Sequence, residues 1–275
     1  MSSIRKIRLL AGGITQHVAL DGPETGPPVL LVHGLGWDHT LWAGQIETLA
    51  GLGFRVVAPD LRGMGETEKP DMPYTIDLYA EDMLALMDGL GIARFIVAGF
   101  SLGGVIAAAM LGRALERIAA AVIACCTLHA TAAGEAGTEA MLARAATLGP
   151  LAFAREQAAA IWHPAWATAH PDEVERFIAW RAAMDQTALT RAFRASFGID
   201  YRPVLATTTL PLRFIAADSD PFASVAVLAD LRDRAAGSDL VVIADAGHMA
   251  PIEQRAAFDA ALAAFLSLHR GTITS

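Results

Sequence analysis

The sequence predicts an α/β fold with a mostly parallel central sheet and helices on both faces. Three observations carry that expectation. Short, continuously apolar runs rich in β-branched residues alternate with longer helical patterns, as in strands buried on both faces. Between roughly 127 and 205 the alternation gives way to an alanine-rich helical stretch. The chain has 275 residues, 54 % hydrophobic and 18 % charged, so it is too apolar for disorder and able to bury a large core.

The elements follow in order. P-V-L-L-V-H (28–33) reads as a buried strand, and a helix follows near 40–51. F-R-V-V-A-P-D (54–60) is the next strand. T-I-D-L-Y-A-E-D-M-L-A-L-M-D-G-L-G (75–91) is a helix whose stop is marked by Gly89 and Gly91. F-I-V-A-G (95–99) is a strand, Leu102 to Glu116 a helix, and I-A-A-A-V-I-A-C-C (118–126) another strand. After the helical stretch come L-R-F-I-A-A-D (212–218), a helix near 222–236, L-V-V-I-A (240–244) and a closing helix near 252–268. The expected organisation is a core of residues 1–126 and 206–275, with 127–205 as a helical cap over the sheet's carboxyl edge, where ligands of open α/β sheets bind. Trp162, Trp166 and Trp180 gather in that cap, most simply as its packing core.

Charge and targeting signals exclude several classes. The net charge of −8 is spread along the chain, without the basic stripe a nucleic-acid surface requires. The N-terminal M-S-S-I-R-K-I-R-L-L-A-G-G has too short an apolar patch for a secretory signal. Cys125 and Cys126 are adjacent in an apolar run, so they read as buried free thiols, neither a disulfide framework nor a metal site. A soluble cytoplasmic protein is expected.

One stretch looks at first like a membrane span. Between Arg94 and Arg113 lie eighteen residues without a charge, about the length that crosses lipid. Within it, however, Gly99-Phe100-Ser101-Leu102-Gly103 joins a strand to a helix. A strand that turns at once into a helix brings the residues two before and two after the turning residue into near contact. Both must be small, and the turning residue is strained and projects from the sheet. The segment is therefore a nucleophile elbow folded in half, with Gly104 allowing close helix packing. Ser101 stands at a helix start, where the Leu102 N–H is free for a developing oxyanion.

A serine hydroxyl needs a base, and that base needs an orienting carboxylate. Of eight histidines, His248 follows a strand in D-A-G-H-M-A-P and leaves the sheet on the edge where Ser101 is exposed. Asp218 and Asp220 both end the strand between serine and histidine. Asp220 is favoured because it lies farther into the loop and precedes Pro221, while Asp218 suits a local turn. The loop H-G-L-G-W-D-H offers the second oxyanion donor, with Leu35 first choice and Gly36 behind it. His33 reads as a residue tying that loop. Gly36, Trp37, Phe100 and Trp162 are candidate pocket residues.

Taken together, V-H-G-L-G (32–36), A-P-D-L-R-G-M-G (58–65), G-F-S-L-G-G (99–104), A-A-D-S-D-P (216–221) and A-G-H-M-A-P-I-E-Q (246–254) resemble the α/β-hydrolase fold family in order and spacing. The resemblance spans essentially the whole chain except the cap. The helical cap is expected after the sixth strand, and the resemblance implies a Ser101–Asp220–His248 triad. It also implies an oxyanion hole from the Leu35 and Leu102 amides, and no cofactor or metal. Serine at the elbow sets the chain apart from the branches with an aspartate nucleophile, such as haloalkane dehalogenases and epoxide hydrolases. Asp60, Arg62, Gly63 and Gly65 match the family's structural loop and take no catalytic role. Two departures stand out: Ala217 replaces the glycine common before the acid, and Phe100 precedes the serine where histidine is commoner. The latter is similar to small esterases, perhydrolase-like enzymes and lactonases, and the proportions resemble the 3-oxoadipate enol-lactonase and small carboxylesterase group. The expected activity is hydrolysis of small carboxylic esters or lactones. The alternatives are a perhydrolase or haloperoxidase-like enzyme using the same triad, and a ligand-sensing receptor with little turnover. Acyl group, leaving group and oligomeric state are not legible.

Overall fold

The computed structural model describes residues 4–273; positions 1–3 and 274–275 of the expected core lie outside the described residues. The chain opens with β1 (Arg5–Ala11) and β2 (Ile14–Asp21), then β3 (Pro28–Val32), a 3-10 turn at His39–Trp42, α1 (Ala43–Gly51) and β4 (Arg55–Pro59). Next come α2 (Ile76–Gly89), β5 (Phe95–Phe100), α3 (Leu102–Arg113) and β6 (Ile118–Ala124). Six helices follow among the described residues: α4 (Ala132–Leu148), α5 (Pro150–Ile161), α6 (Pro164–Ala169), α7 (Pro171–Ala182), α8 (Gln186–Arg194) and α9 (Arg202–Thr207). The chain then returns through β7 (Leu212–Ala217), α10 (Val225–Arg234), β8 (Asp239–Ile243), α11 (Ala250–Glu253) and α12 (Arg255–His269).

The eight strands form one sheet in the order β1-β2-β4-β3-β5-β6-β7-β8. From β4 to β8 every pairing is parallel, while β1–β2 and β2–β4 are antiparallel. The hairpin β1–β2 was not anticipated. Its outer strand, R-K-I-R-L-L-A, is an edge strand with most of its side chains exposed, so it lacks the continuous apolar run that marks the buried strands. Alternate residues of the central strands feed two cores: Val97 and Leu30 pack on the face with α2 and α3, whereas Ile96, Ala98 and Leu31 pack on the face with α1 and α12.

Local signals set the helix ends. The Thr75 hydroxyl accepts the Leu78 N–H at the start of α2, and Gly91 at φ +69° turns the chain away after it. Pro150, Pro164 and Pro171 each open a cap helix at a position whose N–H has no intrahelical acceptor. The strand expected to reach 126 ends at Ala124, because Cys125 adopts φ +50°. The helix expected to reach Glu116 stops at Arg113, with a 3-10 turn at Leu115–Arg117. The cap follows β6, the sixth strand in the chain. The boundary expected at 205 falls inside α9, which packs on α3 and α10 of the core.

Because β3 through β8 run parallel, their carboxyl ends open on one edge. His33, Ser101, Asp218 to Asp220 and the loop to His248 all leave the sheet there. No helix among the described residues is long and apolar enough to cross a membrane.

Candidate active site

Ser101 stands between β5 and α3 at φ 54° and ψ −120°, a conformation rare outside glycine. The surrounding glycines explain how the chain reaches it. A Cβ on Gly99 would lie 2.0 Å from the Gly103 carbonyl oxygen, and one on Gly103 would lie 2.0 Å from the Val32 oxygen. One on Gly104 would meet Cys126 Sγ at 2.6 Å. The Ser101 N–H donates to the Ala124 oxygen at 2.8 Å, locking the turn to the neighbouring strand.

Ser101 Oγ lies 3.0 Å from His248 Nε2, and His248 Nδ1 lies 2.9 Å from Asp220 Oδ2. With the Nδ1 proton donated to the carboxylate, Nε2 is left as the acceptor for the serine hydroxyl. Asp220 is buried, and its Oδ1 accepts the N–H groups of Phe222 at 2.8 Å and Ala223 at 3.2 Å. Phe100 and Phe222 flank the imidazole, each with its ring centroid 5.1 Å away. Such a chain can pass the hydroxyl proton to the imidazole as the oxygen attacks an electrophile.

Asp218 does something different. Its carboxylate accepts the N–H groups of Asp245 at 3.0 Å and Ala246 at 3.3 Å, and these bonds hold it below the ordinary carboxylate range. It ties the turn after β8, whereas the carboxylate bonded to His248 is that of Asp220.

A residue the sequence reading passed over also shapes this loop. Glu253 accepts the N–H groups of Gly247, Met249 and His163 at 2.9 to 3.0 Å, so it fastens both sides of His248 and the cap to one carboxylate. Burial pushes its pKa up despite these bonds. Its signal was an acid five residues after the histidine, too generic to read without the fold. The His248 N–H donates to the Ile161 oxygen at the end of α5, a second tie between cap and loop.

The loop after β3 is organised by His33, which is fully buried. Its Nδ1 donates to the Gly34 oxygen at 2.7 Å and its Nε2 accepts the Leu61 N–H at 2.9 Å. Burial lowers its pKa, keeping it neutral as both bonds require. Asp60 is held by His17 Nδ1, His39 Nδ1 and the His39 and Glu66 amides. Burial alone would raise its pKa, but these bonds, His39's foremost, hold it well below the usual range. His17, His39 and Asp60 have ligand-type atoms within 4.8 Å of one another, yet these atoms already bond to each other.

A cavity of about 780 Å³ lies between sheet edge and cap. Ser101, His248, Gly34, Leu35, Gly36, Trp37, Phe100 and Leu102 all line it. Trp162 is the exception among the expected pocket residues. It stands outside the cavity wall, stacked on Trp166 at 4.6 Å and edge-on to Trp37 at 6.5 Å, because Trp37 and Phe177 pack in front of it. Cys125 and Cys126 also border the cavity, but as buried free thiols whose pKa values burial pushes well up.

Comparison with known proteins agrees with this architecture. The family profile described as alpha/beta hydrolase fold matches residues 27–136. The chain is 38 % identical over 109 residues to epoxide hydrolase 3 of Siraitia grosvenorii, a match covering 39 % of this chain and 34 % of that protein. The chain thus spans about a third of that relative's length. It is 28 % identical over 262 residues to 3-oxoadipate enol-lactonase 2 of Acinetobacter baylyi, covering 95 % of this chain and 96 % of that one. The crystal structure of the enol-lactonase from Burkholderia xenovorans LB400 superposes with a TM-score of 0.89 at 27 % identity, over 95 % of this chain and all (100 %) of that one. With the sheet order, the elbow and the helices after β6 in place, the chain has the α/β-hydrolase fold.

Proposed function

We propose that the protein is a serine hydrolase that cleaves small carboxylic esters or lactones through an acyl-enzyme intermediate. The observation that carries this reading is the hydrogen-bonded chain Ser101–His248–Asp220, with the serine open to a closed-over cavity. Ser101 Oγ attacks the acyl carbon while His248 Nε2 takes its proton, giving a tetrahedral oxyanion and an imidazolium steadied by Asp220. Collapse breaks the bond to the leaving oxygen, which receives that proton. Water then attacks the acyl-enzyme with His248 as base, and the second collapse returns the proton to Ser101.

The Leu35 and Leu102 amides are the oxyanion donors in this scheme. Both residues line the cavity, and Leu102 is the first residue of α3, whose N–H has no intrahelical acceptor. No step calls for a metal or cofactor. The helices between residues 127 and 205 act as the cap that shapes the acyl site. A cytoplasmic location belongs to the same reading, and the two free thiols support it.

The test is hydrolysis of short p-nitrophenyl acyl esters, followed through several turnovers in the wild type and in Ser101→Ala. Sustained release that disappears in the variant is the expected result. A single stoichiometric burst, or equal rates in both proteins, would refute the proposal.

A further inference from the structure

Two arginines are buried among the described residues, and they differ in one respect. Arg62 is bonded through Nε and Nη2 to both carboxylate oxygens of Asp82, at 2.7 and 2.6 Å. Arg181, on α7 and only 4 % exposed, has no such partner. Its Nε donates to Gln157 Oε1 at 2.7 Å, its Nη1 reaches Met184 Sδ at 3.5 Å, and its guanidinium carbon lies 5.7 Å from the Phe193 ring centroid. No counter-charge offsets its desolvation, which lowers its pKa to about 9 and still leaves it charged near neutrality. Burying a guanidinium without a carboxylate is costly.

Its position suggests what offsets that cost. Arg181 lines the same cavity as Ser101. Its guanidinium lies against Gly36, where an added Cβ would sit 1.9 Å from Nη1 and 2.4 Å from the guanidinium carbon. Gly36 at φ +66° is therefore glycine for two reasons, the backbone turn and the arginine beside it. The neighbouring residue is Leu35, one of the oxyanion donors proposed above, and consecutive Cα atoms are about 3.8 Å apart. An anion on this guanidinium would thus share the cavity with a carbonyl held at Ser101, beside the residue next to that carbonyl's proposed oxyanion donor. Two carboxylates also border the cavity, but both are more exposed and already engaged. Glu135 accepts the Gly198 N–H, and Glu156 bonds Arg144.

We propose that the site takes esters or lactones bearing a carboxylate a few atoms from the reacting carbonyl, with the Arg181 guanidinium as the carboxylate's receptor. The planar fork offers paired N–H donors to a carboxylate in the geometry such pairs favour. This assignment rests on the hydrolase reading for its turnover, though anion binding itself does not require turnover.

The experiment has two arms. In a pH-stat, monomethyl glutarate and methyl pentanoate are compared as substrates of the wild type and of Arg181→Met. The wild type should favour the anionic ester by about tenfold or more in kcat/KM, as expected for charge-assisted hydrogen bonds, and the ratio should fall towards one in the variant. In the second arm, glutarate and neutral glutaramide are titrated calorimetrically into Ser101→Ala and into Ser101→Ala/Arg181→Met. Glutarate should bind the first protein better than glutaramide does, and the double variant should lose that difference. Glutarate binding without hydrolysis of either ester would refute the hydrolase reading and leave the anion site standing. Preference for the neutral ester together with no glutarate preference would overturn the anion site. So would a glutarate preference that survives Arg181→Met. If the methionine variants do not fold, the wild-type ester ratio and the Ser101→Ala titration decide between the same outcomes.

Discussion

An Asp220→Asn exchange keeps the shape of the side chain and removes one acceptor, and the surrounding bonds dictate which one. Asp220 Oδ1 accepts two backbone N–H groups, from Phe222 and Ala223. An asparagine must place its carbonyl oxygen there, because its amide nitrogen would face two donors. The amide nitrogen then occupies the Oδ2 position, 2.9 Å from His248 Nδ1, and presents N–H where an acceptor stood. His248 relieves that clash by moving its proton to Nε2, which can no longer accept from Ser101. The loss should be about 10⁴-fold in kcat, as for the same change in a serine-protease triad, or roughly 5.5 kcal/mol of transition-state stabilisation. Asp218→Asn is the control: it removes one backbone acceptor at an exposed turn, worth about 0.5–1.5 kcal/mol of stability. Its activity should stay within about tenfold of the wild type. The assay is kcat and KM on a short p-nitrophenyl ester, with folding checked by circular dichroism. Equal losses at the two positions, or a larger loss at 218, would refute the assigned order of the proton relay.

Two further outcomes follow from the packing. Gly103→Ala should destabilise the protein in urea unfolding by about 3 kcal/mol or more, since the new Cβ would lie 2.0 Å from the Val32 oxygen and 2.8 Å from the His33 oxygen. The gain in helix propensity, about 1 kcal/mol at most, is smaller than that clash, so a variant as stable as the wild type would contradict it. The second concerns His33, whose folded pKa is lowered by burial from an ordinary value of 6.5. Its contribution to stability is present above that value and is lost as pH falls below it towards the folded pKa. The unfolding free energy should therefore decline between pH 7.5 and 5.5, and His33→Gln should show a shallower decline; identical slopes would exclude His33 as a source.

Much of the fold could be read from one dimension because buried parallel strands need continuous apolar runs and helices need caps and stops. The strand at 95–99, the helix from Thr75 to Gly91 and the elbow around Ser101 each depend on neighbours within a few residues. The edge hairpin β1–β2 escaped because its outer strand is paired on one side only and carries arginine and lysine among its apolar positions. Trp162 was a pocket candidate by composition, and the packing of Trp37 and Phe177 puts it outside the wall.

The sequence by itself determined the residue types that allow the chemistry: a serine in a turn only glycines permit, a histidine after a late strand, and an aspartate pair between them. Those are local steric and chemical demands. Only the tertiary structure decided which aspartate meets His248, because Asp218 and Asp220 are two residues apart and differ only in which loop they face. It also decided the place of Arg181 and Glu253. A buried charge is defined by what surrounds it, and those surroundings come from segments far apart in the chain: Gly36 beside Arg181, and His163 and Gly247 on Glu253. No local pattern records them, since each depends on how the cap closes over the sheet edge.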